Sequence, residues 1–355
     1  MTIRTPLMEQ LKLAHPIIQA PMAGGSDTPE LAAAVCNAGG MGFLGAAYLT
    51  PRQIGEAAAA VRARTNRPFG INLFSPLSAV PTGDTGPAMV VVAHFYAELG
   101  LAPPDPPVSS GYSFTDQLAA ILDSGAVVVS FHLAIPPAHD LAVIKSRGLF
   151  LMGSATTVEE ARQWEAAGAD AVVAQGSEAG GHRGTFAGSF EAAMIGTMAL
   201  VPQMVDAVSV PVVAAGGIMD GRGIAAALAL GAQAAQMGTA FLTCAESGLI
   251  EAYRQAILNA APHETAITRA FSGRPARGIV NRFMTEVEAG GAILPFPQQN
   301  ALTRPLRTAA AKQGRAEFLS LWAGQGLGLA RRQSTEELMV RLVRETEDAI
   351  GRLAR

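Results

Sequence analysis

The chain has 355 residues but only two cysteines, Cys36 and Cys244, too few for a disulfide framework or a cysteine metal cluster. Both are expected to be reduced, buried apolar side chains. Charge is also scarce, with 15% charged residues and a net charge of −3, and no long like-charge run offers a footprint for nucleic acid. No apolar run approaches the roughly 18 residues of a membrane span. The first residues, Met-Thr-Ile-Arg-Thr-Pro, lack the apolar core of a signal peptide, which gives the expectation of a cytoplasmic protein acting on a small molecule. No His/Asp/Glu spacing resembles a zinc or two-metal site, and no Gly-x-Ser-x-Gly elbow is present, so metal and acyl-enzyme chemistry are both disfavoured.

What the chain does have is apolar content, 49% of residues, and 38 glycines, a composition suited to a buried parallel sheet with tight loops. Short apolar runs ending in Gly, Asn, Gln or Ser alternate with Ala-rich helical segments, the pattern of repeated βα units. Eight candidate strands follow: Ile17–Ala20, Gly42–Gly45, Phe69–Phe74, Ala126–Phe131, Leu149–Gly153, Ala171–Gln175, Val212–Ala215 and Ala234–Met237. Helices are expected at Thr28–Ala38, Pro51–Arg64, Ser113–Asp123, Pro137–Ser146, Val158–Ala167, Glu191–Val208 and Gly221–Leu230. Thr157 and Gly168 bracket one of them as N-cap and C′ glycine. The fold class expected is α/β, a (β/α)8 TIM barrel, in preference to an open doubly wound sheet.

Residues 1–243 together with 321–355 are expected to make the barrel, and 244–320, which lack a clean βα repeat, a helical insertion or lid. The stretch Leu77–Ser113, rich in prolines including Pro81, Pro87 and Pro103, reads as an inserted helix over Ala88–Leu101 framed by loops. Thr335–Leu353 reads as a terminal amphipathic helix.

In such a barrel the chemistry sits at the carboxyl ends of the strands. The first end gives Gln19-Ala20-Pro21-Met22-Ala23-Gly24-Gly25, the third Asn72, the fourth His132, and the sixth Gln175 and the loop Gly176–Gly184 that carries His182. His182 follows two glycines, which suits a base held beside a closely approaching ligand. Glu178 on the same loop is expected to hold the loop by hydrogen bonds, and Arg183 either to steer an anion or to lie in solvent. Glycines after the seventh and eighth strands, Gly216-Gly217 and Gly238, stand where this barrel grips phosphate. Gly40-Met41-Gly42-Phe43-Leu44-Gly45 matches a dinucleotide fingerprint, yet it runs through a strand and reads as a chance match. His15, His94, His139 and His263 fall where no chemistry converges.

These residues resemble the class I nitronate monooxygenases, formerly called 2-nitropropane dioxygenases. The likeness rests on Pro16–Gly25, Gly70–Phe74, Gly176–Gly184, Gln236–Phe241, Pro297–Thr303 and Leu321–Gly326. The resemblance implies an FMN-dependent barrel in which Met22, Asn72, Gln175, Gly180, Gly217, Gln236, Met237, Gly238 and Thr239 contact FMN. It also implies that His182 is the catalytic base, acting on alkyl nitronates with O2 to give a carbonyl compound and nitrite. His132, Ala23 and Gly181 are assigned to the substrate side of the pocket, and Gln19 is expected beside Asn72 and Gln175 at the flavin edge. Tyr48, Tyr96, Tyr112 and Tyr253, the four tyrosines of the chain, are the candidates for a substrate-side aromatic wall. Three alternatives stay open: an NAD(P)H-dependent enoyl-thioester reductase on the same flavin barrel, a flavin-free barrel for a phosphorylated ligand, and a non-catalytic binding protein that keeps the fold, against which the presence of His182 argues.

Overall fold

A computed structural model describes residues 3–76, 83–107 and 112–354. In chain order its strands are β1 (Ile17–Gln19), β2 (Phe43–Gly45), β3 (Gly70–Phe74), β4 (Val128–His132), β5 (Phe150–Ala155), β6 (Ala171–Gln175), β7 (Gly181–His182), β8 (Val212–Ala215), β9 (Ala234–Met237), β10 (Thr265–Thr268) and β11 (Ala276–Ile279). Eight of them form one sheet in the order β1-β9-β8-β6-β5-β4-β3-β2, with every pairing parallel. The two ends meet at an Ile18–Met41 bridge, where Gln19 N–H donates to Met41 O at 2.9 Å and Met41 N–H to Ile17 O at 2.9 Å. All eight barrel strands coincide with those expected from the sequence, within two residues at each end.

Alternation along these strands sorts the core into two layers. Ile17, Leu44, Ile71, Leu73, Val129, Phe131, Val172, Ala174, Val212 and Ala214 pack outward under the helices. Ile18, Phe43, Val128, Met152, Ala171, Val173, Val213 and Ala234 point inward. The inner layer is stoppered by a helix that the sequence did not signal, Pro6–Leu11, capped by Thr5 and started by Pro6. Its Leu7, Met8 and Leu11, with Leu13, are at most 4% exposed and join the inner cluster. Each such side chain contributes about 1.5–3 kcal/mol of burial.

Most expected helices form with ends shifted by one or two residues; Glu191–Val208 instead starts at Thr197. The Glu178 carboxylate accepts from Thr197 N–H at 2.9 and 3.0 Å, so the cap comes from a neighbouring loop and sets the start. The helix Gly86–Glu98 occupies the inserted stretch, of which residues 77–82 and 108–111, Leu77 and Pro81 included, lie outside the described residues. Thr335–Leu353 is helical as expected, opened by a capping box of Ser334 and Glu337. No helix among the described residues is long and apolar enough to cross a membrane.

After β9 the chain is helical at Glu251–Asn259, Arg282–Gly290 and Gln298–Gln313, and it adds a hairpin, β10–β11, beyond the helices expected there. β11 pairs in turn with β7, matching Ala276 to His182. A second apolar cluster, including Phe95, Phe271, Phe283 and Phe318, ties these segments to Gly86–Glu98 over the barrel.

Close packing makes several glycines obligatory. The Cβ of an alanine at Gly153 would lie 2.0 Å from Trp164 Cδ2, a ring that is fully buried. Gly153→Ala is therefore expected to cost about 1–3 kcal/mol, measured as a lower urea midpoint with an unchanged m-value. Gly42, part of the dinucleotide-like run, is likewise a packing glycine, since a Cβ there would stand 2.1 Å from Ala32 O.

Candidate active site

The inward alternation that supplies apolar residues at the bottom of the barrel supplies polar ones at its top. Asn72, Ser130, His132, Ser154, Gln175 and Gln236 all share the inward parity, and all line one cavity of about 680 Å³ at the carboxyl ends of the strands. Met22, Ala23, Gly180, Gly181, His182, Gly217, Met237, Gly238 and Thr239 line it too, so of the catalytic, cofactor and substrate residues expected from the sequence all but Gln19 reach the same space. Met237 borders it while its side chain packs outward in the layer beneath the helices.

Gln19 does not reach it. Its parity is outward, it is fully buried, its Oε1 accepts from Phe43 N–H at 2.9 Å and its Nε2 bonds Ala20 O. It braces β1 against β2 and has no access to the flavin edge expected for it.

Asn72 Nδ2 donates to Ser130 O at 3.1 Å and Ser130 Oγ at 2.9 Å, which fixes the amide. Gln175 Nε2 donates to His182 O at 2.9 Å and its Oε1 accepts from Gly184 N–H at 2.9 Å, so this side chain pins the histidine loop. Met22 N–H donates to Asp27 Oδ2 at 2.6 Å, an oxygen that also accepts from Gly45 N–H at 2.6 Å. Burial pushes that carboxyl up to about 7.

Arg183 neither steers anions nor lies in solvent. It is 1% exposed, and its Nη1 donates to Gln175 O at 2.9 Å and Gly176 O at 2.6 Å while Nη2 donates to Ala193 O at 2.9 Å. The guanidinium is the internal frame of the loop. Glu178 holds the other side, as expected, through Thr197.

His182 is delivered to the cavity by β7. Its Nε2 lies 2.9 Å from Ser272 Oγ, on the turn between β10 and β11, and its carbonyl is 3.0 Å from His132 Nε2. Ser272 Oγ donates to Arg274 O and accepts from Arg274 N–H. Placing the ring proton of His182 on Nε2 satisfies all three groups at once and leaves Nδ1 with a free lone pair. The ring stands 5.8 Å from Phe74, 6.2 Å from Phe296 and 5.7 Å from Trp322, with Tyr48 5.8 Å beyond Phe74. Tyr48 and Tyr253 line the cavity, Tyr96 bonds Leu302 O below it, and Tyr112 lies out on the surface. The aromatic lining of the cavity is therefore mixed, Tyr48 and Tyr253 standing with Phe74 and Trp322.

Burial, reinforced by the positive field of His132, Arg274 and Arg307, lowers His182 to about 3. His132 falls to about 4, chiefly through burial. Both rings are neutral in the working range. The unfolded chain takes up these protons near pH 6.5 and the folded chain does not until about 4 and 3, so their contribution to stability falls as pH drops through that window. Asp27, raised, acts in the opposite sense between its ordinary 3.8 and about 7. Replacing His132 by asparagine should accordingly flatten the fall in urea midpoint between about pH 6.5 and 4. An unchanged slope would show that His132 titrates normally.

Ser154, Trp322, Ser272, Arg304 and Arg307 line the cavity, and Phe296 stands beside His182, without any local signal of the kind that marks the strand ends. Ser154 is marked only by its parity with Met152. The others come from segments whose approach to the barrel only tertiary structure reveals.

Fold and cavity together define a (β/α)8-barrel enzyme whose site lies at the carboxyl ends of the strands. A family model for nitronate monooxygenase matches residues 5–345, and the chain belongs to that family. It is 44% identical to a probable nitronate monooxygenase of Staphylococcus haemolyticus over 96% of both chains. The structure of a nitroalkane oxidase from Streptomyces ansochromogenes superimposes with a TM-score of 0.91 at 44% identity, covering 98% of this chain and all of that one. FabK from Thermotoga maritima is more distant, with a TM-score of 0.79 and 30% identity over 99% of each chain.

Proposed function

We propose that the cavity holds FMN and that the protein oxidises alkyl nitronates, such as propionate 3-nitronate, with O2 to a carbonyl compound and nitrite. The observation that carries this reading is the neutral His182 ring in the wall of the same cavity as the glycine turns Gly216-Gly217 and Gly238. The lining fits a flavin phosphate. The N–H groups of Gly217 and Gly238 find no acceptor among the described residues, and a Cβ at Gly238 would meet nothing nearer than 3.7 Å. Open backbone donors of this kind suit an anion.

Met22, Asn72, Gln175, Gly180, Gly217 and Gln236–Thr239 would hold the cofactor. Bound there, FMN would supply the electron-transfer chemistry between substrate and oxygen. The chain's own part is binding, orientation and proton handling. His182 Nδ1 takes the α-proton when a neutral nitroalkane binds, while a nitronate arrives without it. His132, Ala23 and Gly181 border the substrate, and Phe74, Phe296 and Trp322 keep the reacting region dry. The stronger likeness to a nitroalkane oxidase than to FabK favours nitro chemistry over the reductase alternative.

The test is direct. Purified protein should be yellow, release FMN on heating, and form nitrite from ethyl nitronate in air. A colourless protein that ignores added FMN, or a flavoprotein that forms no nitrite, overturns the proposal.

A further inference from the structure

The helix Gln298–Gln313 places Arg304, Arg307 and Lys312 along the cavity, whose lining contains no Asp or Glu among the described residues. None of the three makes an ion pair among those residues. Arg307 is the most enclosed. Its Nη2 donates to Asn300 O at 3.2 Å and Oδ1 at 2.6 Å, its Nη1 reaches Ser320 Oγ only at 3.5 Å, and its Nε is buried without a partner. Every one of those partners is neutral. A half-buried guanidinium whose protein partners are all neutral keeps an uncompensated charge at the cavity wall, and an anionic ligand would complete it.

Two chains of contacts lead from these cations to His182. Ser320, beside Arg307, is joined to Trp322 by a Trp322 N–H···O bond of 2.8 Å, and the Trp322 ring lies 5.7 Å from that of His182. Arg304 sits 5.2 Å over Tyr48, Tyr48 lies 5.8 Å from Phe74, and Phe74 5.8 Å from His182. The cations therefore stand in the wall of the same cavity as His182, on an element separate from the glycine turns after β8 and β9. Burial holds Arg307 down at about 10, and its charge in turn helps keep His182 neutral.

A nitronate is planar and spreads one negative charge over two oxygens, which matches the fork of a guanidinium; a neutral nitroalkane carries no net charge. We propose that Arg307, supported by Arg304, binds the two nitronate oxygens and so makes this enzyme select the charged nitronate over the neutral nitroalkane. The same pair binds planar oxyanions such as nitrate and the product nitrite. This inference rests on the nitronate reading of the cavity.

The experiment uses the flavin-loaded protein with nitrate as an unreactive probe, read by quenching of tryptophan fluorescence and by calorimetry, beside KM and kcat for ethyl nitronate and nitroethane. Nitrate should bind at one site, and Arg307→Met should weaken it about 10–100-fold, the range of a charge-assisted hydrogen bond. The same variant should raise KM for ethyl nitronate at least tenfold more than KM for nitroethane, with partial rescue in Arg307→Lys. Arg304 is exposed, so Arg304→Gln tests the site without risk to folding and should weaken nitrate about threefold, less at high salt. Nitrate binding that neither substitution changes, or equal KM effects on both substrates, overturns the proposal. Loss of FMN from Arg307→Met overturns it too, by assigning the arginine to the cofactor. Nitrate binding that depends on Arg307 in a protein inactive on all nitronates would uphold the anion site and refute the nitronate reading.

Discussion

Replacing His182 by asparagine is expected to lower kcat/KM for neutral nitroethane by about 10²–10⁴-fold, the usual contribution of a positioned base, while ethyl nitronate keeps most of its turnover. The asymmetry follows from the site. Nε2 is anchored on Ser272 at 2.9 Å, which leaves Nδ1 as the ring's free acceptor. With its pKa lowered to about 3, the ring is unprotonated throughout the neutral range, so the base form is always present and is lost only as pH falls through about 3. No inflection of nitroethane kcat/KM between pH 5 and 8 should therefore trace to His182. A nitronate has already lost the proton and needs no base. Equal losses on the two substrates would remove His182 from proton transfer and leave it a packing or cofactor role.

Arg183→Met is expected to be the most damaging single change to the site that touches no ligand. Its guanidinium serves the carbonyls of Gln175, Gly176 and Ala193, all buried around the loop that carries His182. A methionine fills similar space and removes the guanidinium donors from Gln175 O and Ala193 O, at about 1–3 kcal/mol for each one unsatisfied, while Gly176 O keeps Ala179 N–H at 3.1 Å. The expected result is a fall of several degrees or more in Tm together with loss of flavin from the cavity, measured by calorimetry and flavin retention on gel filtration. A variant that keeps wild-type Tm and cofactor would show that the loop is held by Gln175 and Glu178 alone.

The contrast between these two residues shows what the sequence could and could not tell. His182 was legible because two glycines and a rim position set it apart. Arg183, its neighbour, gave no sign that it folds inward, since a loop arginine is exposed by default and its four acceptor contacts, two on Gln175 and one each on Gly176 and Ala193, are brought round it only by the folded loop. The barrel strands were legible because parallel strands buried on both faces read as short apolar runs closed by turn residues. Gln19 was misplaced for a reason of parity: it follows inward Ile18 and must point out. The stopper helix Pro6–Leu11 is six residues long, too short for a helical period to show. Ser272, Trp322, Arg304 and Arg307 lie between 90 and 140 positions from the histidine whose cavity they share, and nothing local marks them. Ser272 arrives on the turn of the hairpin β10–β11 that pairs with β7, Trp322 through its bridge to Gly278 on β11, and the two arginines on the helix Gln298–Gln313.

The most direct test of the account is an anaerobic titration of the purified yellow protein, with propionate 3-nitronate in one cuvette and NADH in another, followed by the flavin spectrum. The nitronate should reduce the flavin, NADH should leave it oxidised, and admitting air should restore the spectrum with release of nitrite. Full bleaching by NADH with the nitronate inert would contradict this expectation and make the cavity that of a reductase.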